Sequence, residues 1–447
     1  MIAPKSAEIG DMTAKIRRLK LLFLAYPFPP ANINSCVRTS NLAKYLSRLG
    51  WDVTVLTPCP SVWRNVENSE DTTEQFQREG IRRILTGHGW RCLSPDHLNC
   101  WNRGMGWLVG GIARRIARQL RLEKEIGWIK AAERACSTIK PQDVDIILAT
   151  ASPFASFSLA KRLSNRLGRP YVLDYRDPWT GNPHASHFNH PAIIKKEASL
   201  LAGSGAVTIV SASWRRAMEE QFHVGSKLHV LTNGYDPEEL ADVKPCDFGH
   251  SAIVYAGNFY PPKRVITPVM AALASLNDTA ITARHNWVFH YYGSQESHVL
   301  TEAQRFGTEN RVINHGWVSR NEVLSAVRGA KVVVVITSVL NNAGMDDNGI
   351  MTGKIYDAMG LGTPVLLVAP PGSDAEAIPR TSGLGRSFSS NDVPGITSFL
   401  AHTLTGNAPK PKNLATYAWP GIIRRLDRIL RNVIDRQRQT RCAALRE

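Results

Sequence analysis

The sequence predicts an α/β protein of two facing, doubly wound domains, each an open and mostly parallel sheet with helices on both faces. Three observations carry this. Short apolar strands alternate with amphipathic helices along most of the chain, the pattern of a buried parallel sheet. The alternation pauses once, at residues 236–251, a polar stretch with Pro237 and Pro245, and then restarts. The chain has 447 residues, 43% hydrophobic and 21% charged. That exceeds one ordinary core and suits two domains of roughly 200 residues each.

Residues 1–18 are polar and basic and form no element. Residues 19–26 read as a buried strand, stopped by Pro27, Pro29 and Pro30, because proline lacks the N–H that a ladder needs. Residues 41–49 form a helix ended by Gly50, and 52–57 form the second strand. A strand at 145–149, a helix at 155–167 and strands at 171–175, 207–210 and 227–231 complete the first half. After the pause, strands fall at 253–256, 287–291, 331–336 and 364–368, with helices between them. Residues 419–438 keep Ile422, Ile423, Leu426, Ile429, Leu430 and Val433 on one face, which is helical spacing. The expected units are therefore a basic N-terminus (1–18), an N-terminal domain (19–240), a C-terminal domain (251–415) and a helix (416–440) that packs back toward the first domain.

A net charge of +16 favours a polyanionic neighbour, nucleic acid or an anionic membrane surface. Seven scattered cysteines without a C-x-x-C pair read as a reduced, cytoplasmic protein with no disulfide framework and no cysteine-rich zinc site. The first 20 residues lack the apolar core of a secretory signal, and no apolar run approaches a spanning helix. Residues 106–122 read as a helix with Leu108, Ile112, Ile116 and Leu120 on one face. Residues 103–130 carry seven basic and two acidic side chains. That segment is either an anionic-membrane contact, which Trp101, Trp107 and Trp128 favour, or an ordinary solvated surface helix.

The most informative stretch is 348–375. A polar turn leads through Thr352-Gly353-Lys354 into a short helix that carries Asp357 and gives way to the strand at 364–368. A helix N-terminus exposes unpaired N–H groups and partial positive charge, a ready seat for phosphate. Lys354 adds a full charge there, and without an anion it would oppose the helix dipole. Asp357, one turn on, can accept hydrogen bonds from sugar hydroxyls. The combination points to a nucleotide diphosphate on an α/β domain.

Further anchors stand in a fixed order: LFLAYPFPP (22–30), Arg38, NLAKYLSRLGWDVTVLT, DIILATASP (145–153), YVLDYRDPWTGNP (171–183), VTIVSAS (207–213), VLTNGYDPEEL (230–240), VYAGNFYPPKR (254–264), NHGWVSRNEV (314–323) and TGKIYDAMGLGTPVL (352–366). From about residue 19 to 440 the chain resembles the family 4 glycosyltransferases of the GT-B architecture. These are two Rossmann-like domains with a C-terminal crossover helix, moving sugars mostly with retention from nucleotide donors.

The resemblance implies roles. Gly257 and Lys263 match the glycine and donor-phosphate lysine of the family's G-R-x-x-x-x-K pattern, with Asn258 standing where the arginine usually is. Gly316 and Val318 fall where backbone groups meet the nucleobase. Asp357 takes the second, ribose-holding acid of E-x7-E, and Gly349 occupies the place of the first. The usual Gly-Gly turn is Asn32-Ile33-Asn34-Ser35. The expected donor cradle is Thr352, Gly353, Lys354 and Lys263, with no metal and no other cofactor. Arg38, Arg176, the 27–35 loop and Asp177, at the carboxyl end of a strand, face the acceptor; Asp177 is also a candidate for proton transfer. A nucleotide-sugar donor, a glycan or lipid-linked acceptor and no nucleic acid are the expected partners. The implied setting is cell-surface polysaccharide synthesis, cytoplasmic and peripheral at the inner face of the plasma membrane. A nucleotide-sugar epimerase on the same fold and a non-catalytic membrane-associated scaffold are the alternatives.

Three motifs lead elsewhere and are set aside. His184, His187 and His190 lie in a loop without the acid of H-E-x-x-H. Asp143-Val144-Asp145 leads into a strand, the wrong end for a ligand. The run from Gly349 to Lys354 is one residue short of a P-loop.

Overall fold

A computed structural model of the chain describes residues 17–31, 33, 35–63, 69–87, 115, 127–277, 286–341, 344–406 and 411–444. The predicted helix at 106–122, apart from residue 115, lies outside them, as do Trp101, Trp107, Asn32 and Asn34 of the first turn, and the first 16 residues.

The described residues form two parallel sheets. The first has seven strands in the order β3-β2-β1-β4-β5-β6-β7: β1 Lys20–Leu24, β2 Asp52–Pro58, β3 Arg82–Thr86, β4 Ile146–Ala151, β5 Tyr171–Tyr175, β6 Ala206–Ile209 and β7 Leu228–Val230. The second has six in the order β10-β9-β8-β11-β12-β13: β8 Ser251–Ala256, β9 Trp287–Tyr292, β10 Val312–Gly316, β11 Val332–Ile336, β12 Val365–Val368 and β13 Gly385–Phe388. Every pairing is parallel, with registers such as Phe23↔Leu148 and Val334↔Leu366. Each sheet lies between two apolar layers, so its central strands are buried on both faces and read as unbroken hydrophobic runs.

The helix Trp419–Ala444 follows the second lobe in sequence but packs on the first. Its Trp419, Ile422, Leu426, Leu430 and Val433 lie with Leu21, Phe23, Val53 and Val172. Trp419 N–H donates to the Tyr235 carbonyl at 3.0 Å, tying the returning helix to the segment that left the first lobe. The fold is thus α/β with two Rossmann-like lobes and a crossover helix, as the sequence predicts.

Trp128 departs from expectation. Its indole is fully buried, donates to Thr86 Oγ1 at 2.7 Å and meets Tyr26 edge-on at 5.1 Å. It is a core residue, not a membrane-interface anchor. Among the described residues no helix is long and apolar enough to cross a membrane.

Candidate functional site

The site is built where the carboxyl ends of the two sheets face each other, the position at which open α/β sheets bind ligands. On the second lobe, β8 is followed by Gly257, whose φ of +127° lies in the region that favours glycine. A Cβ built there would stand 1.9 Å from Lys354 Nζ and 2.4 Å from its Cε. Glycine is favoured by that φ, and a side chain there would also push the end of Lys354 aside. Lys354 belongs to the first turn of the helix Gly353–Gly360, whose N-cap residue Thr352 is extended and makes no side-chain cap. The first-turn amides are therefore free of an internal side-chain acceptor.

The ammonium of Lys354 rests 4.9 Å above the Tyr255 ring. Burial, reinforced by nearby Arg264, pulls its pKa down to about 7. Arg264 is 8% exposed, lies over Tyr260 and keeps a buried Nε without a hydrogen-bond partner. Among the described residues neither cation forms a salt bridge with a carboxylate. A lysine whose charge its surroundings disfavour and a largely buried arginine, beside a helix N-terminus, make an arrangement that an anion would stabilise. In the sequence Arg264 stands beside Lys263, after Pro261-Pro262, in a basic pair that either binds phosphate or forms a surface turn. Its burial beside Lys354 is a property of the fold.

Lys263 is placed differently. Its ammonium donates to Asp347 Oδ1 at 2.9 Å and to the Pro183 carbonyl of the first lobe at 3.0 Å. It faces the gap between lobes but already holds a counter-ion. Asp357 is likewise engaged: Arg320 grips both its oxygens, at 3.1 and 3.2 Å, and bridges onward to Glu239 at 2.5 and 3.0 Å. Neither Arg320 nor Glu239 was singled out from sequence. Gly316 has φ +68°, and half-buried Val318 packs on the core. Between them Trp317 stands 67% exposed at the carboxyl end of β10.

The place of the family's first acid has a physical explanation. A Cβ on Gly349 would lie 2.2 Å from Cδ1 of Trp214, whose indole crosses from the first lobe and donates to the Asp346 carbonyl at 2.7 Å. No side chain fits at 349 while the lobes are packed this way.

On the first lobe, two expectations are corrected. Arg38 does not face an acceptor. It is 3% exposed, and all five of its N–H donors are taken, by Asp174 (2.6 and 3.0 Å), Leu231, Thr232 and Asn233. Asp174, also bonded by Thr150 and Thr208, is its buried counter-ion; Arg38 and the two hydroxyls outweigh burial and keep its pKa low. Arg176 braces the Ala151 and Ser152 carbonyls at 2.7 and 3.0 Å, a loop-ordering role. Asp177 alone of these is exposed, with no hydrogen bond or salt bridge among the described residues, in the loop that follows β5. Beneath this loop, buried Glu197 accepts from the amide and hydroxyl of Thr180, and burial pushes its pKa up to about 7.

The three loop histidines diverge. His190 accepts from the Ala192 amide, His187 packs on Phe188, and His184 lies against Tyr260. Among the described residues no group of His, Cys, Asp or Glu is placed to hold a metal ion.

Comparison with known proteins fits this architecture. Residues 37–239 match the Glycosyltransferase Family 4 model, and residues 250–396 match Glycosyl transferases group 1. No curated protein sequence matches. A sucrose-phosphate synthase from Thermosynechococcus elongatus shares the fold with TM-score 0.60 at 15% identity, over 95% of this chain and 100% of that one. The lipopolysaccharide outer core galactosyltransferase WaaB does so with TM-score 0.52 at 12% identity, over 95% and 100%. Anabaena HepE in complex with UDP matches with TM-score 0.52 at 14% identity, over 93% and 100%. Two family models in tandem, laid over two facing parallel-sheet lobes, make this chain a family 4-like glycosyltransferase of the GT-B architecture.

Proposed function

We propose that the protein transfers a hexosyl group from a nucleoside diphosphate sugar to a glycan or lipid-linked acceptor, with retention and without a metal ion. The observation that carries this is the pair of half-buried Lys354 and buried Arg264, without counter-ions among the described residues, beside the uncapped helix Gly353–Gly360. A uridine nucleotide is the first donor to test, since Anabaena HepE, of similar fold, is described in complex with UDP.

The work of the site is electrostatic. As the bond between the sugar C1 and the β-phosphate oxygen breaks, negative charge grows on the leaving diphosphate. Lys354, Arg264 and the first-turn amides stabilise that charge more than they stabilise the intact donor. The acceptor oxygen bonds to C1 on the same face, and its proton passes to the departing phosphate, so no protein nucleophile is needed. Arg264 supplies the cation that Asn258 does not. Lys263 joins when the phosphate competes with Asp347 for its ammonium. Thr352 and Gly353 lend amides, Gly257 admits the lysine, and Gly316 and Val318 frame the base, with Trp317 as its stacking surface. Asp357 holds the ribose hydroxyls through the carboxylate lone pairs that Arg320 leaves free. Asp177 meets the acceptor.

A cell-surface glycan and a peripheral position on the inner membrane face complete the proposal, with 103–130 as the contact. Reversing the charge of Arg114, Arg115 and Arg118 is expected to reduce sedimentation with anionic vesicles. Unchanged sedimentation leaves that segment a plain surface helix. For the chemistry, purified protein is incubated with each nucleotide sugar, with EDTA, and with and without lipid acceptors. Transfer supports the proposal; an epimerised donor, or no product from any donor, rejects it. The absence of product would favour a scaffold role, to which Trp214 packed against Gly349 lends the structural argument.

A further inference from the structure

A cavity of about 600 Å³ opens where the crossover helix Trp419–Ala444 begins, between the turn Leu414–Tyr417 and the end of the first-lobe helix Ser35–Arg48. That volume is in the range of small-molecule sites, ~300–1,000 Å³. None of its lining residues belongs to the Lys354 seat. Three arginines line it, Arg424, Arg425 and Arg428. Arg424 and Arg428 stand one helical turn apart on the same face, a like-charge spacing that works against the helix. None of the three makes a hydrogen bond or salt bridge among the described residues.

A solvated basic face accounts for exposed Arg424 and Arg428, but not for Arg425. Arg425 is half-buried, and burial together with the charge of Arg428 lowers its pKa. The carboxylate in the lining, Asp427, is already engaged: its Oδ1 accepts from Trp51 Nε1 and from Arg431 Nε, both at 2.7 Å. The cavity therefore keeps an excess of two positive charges over its own acid. Guanidinium groups pair two-point with phosphate oxygens, and three around one void suit a dianion better than a carboxylate. Exposed Thr416 adds a hydroxyl donor at the rim, while Leu49 and Ala415 present apolar surface beside it. Room beyond a bare phosphate, with an apolar side to the cavity, matches a phosphomonoester, either free or as a lipid headgroup.

We propose that Arg424, Arg425 and Arg428 bind a phosphomonoester beside the start of the crossover helix. The proposal does not use the transferase reading. It is tested on the full chain by calorimetric titration of glycerol 3-phosphate, and by sedimentation with phosphatidylcholine vesicles with and without phosphatidate. The proteins compared are wild type, the combined Arg424→Gln, Arg425→Gln and Arg428→Gln variant, and Lys354→Met, the last because the Lys354 seat also takes an anion. Lys354→Met is expected to keep a glycerol phosphate site. The triple variant should weaken that binding at least about tenfold and leave UDP affinity unchanged. A second measurement needs no variant: glycerol phosphate should protect Arg425 of the wild type from phenylglyoxal, located by mass spectrometry. Binding of phosphatidate vesicles alone, lost in the triple variant, would assign the site to a lipid headgroup. The proposal is overturned if neither probe binds, if the triple variant binds as wild type does, or if binding is lost only in Lys354→Met. Glycerol phosphate that binds without protecting Arg425 overturns it equally. Each of these failures leaves UDP binding, and with it the transferase reading, to stand on its own measurement.

Discussion

Lys354 sits where two effects oppose its charge: desolvation, and the positive end of a helix. Lys354→Met keeps the stem over Tyr255 and removes the charge. It is expected to stabilise the free protein by ~0.3–1 kcal/mol while weakening UDP at least about tenfold, measured by thermal melting and calorimetry. A merely structural lysine would lose stability and leave UDP alone. The pH dependence has a definite sign. The unfolded chain holds this proton to about pH 10.4, whereas the folded chain releases it near 7. Stability therefore rises with pH across that window, and the rise should be absent from Lys354→Met. A bound diphosphate favours the ammonium, so UDP binding should take up a proton, and its affinity should fall above pH 7. Calorimetry in buffers of different ionisation enthalpy measures this. Arg38 is the contrasting case. Arg38→Ala strands Asp174 in the core and should cost about 3–5 kcal/mol, read by denaturant melts, with Lys a poor substitute because it cannot make five planar bonds.

At the level of elements, the helix Gly353–Gly360 meets the Gly257 turn because β8 and β11 are neighbours in the second sheet. Gly349→Glu restores the family's acid in sequence but drives it into Trp214. A loss of about 1–3 kcal/mol is expected, relieved in part by Trp214→Ala, with thermal melts of the two singles and the double as the check. The strands that the sequence did not reveal share a cause. β3, β10 and β13 are all edge strands, partly exposed, so they lack the continuous apolar run that marks β1, β4, β8 and β11. The helix start at Gly353 was legible because local signals, a turn, a lysine and a helix pattern, fall within a few residues. The contacts of Arg320 and Trp214 were not, since they reach 37 or more positions away or cross between the lobes. Arg38 misled for the same reason: only the fold reveals Asp174 as its partner.

For the whole molecule, the lobes are held together by contacts that a ligand must accommodate or rearrange. Lys263 reaches Pro183, Trp214 reaches Asp346, and Asp374 accepts from the helix of Ser213. The crossover helix anchors the opposite side, so motion is expected about the Tyr235–Trp419 junction. The pyrophosphate seat proposed at Lys354 and Arg264 lies on the second lobe, beside these contacts. The seat is the central claim. Its most direct test is calorimetric titration of UDP and of uridine into wild type and Lys354→Met, with EDTA throughout. UDP should bind the wild type without metal, Lys354→Met should lose at least about tenfold for UDP, and uridine should bind both equally. Equal UDP affinity for the two proteins, or UDP binding that needs a divalent ion, would contradict it.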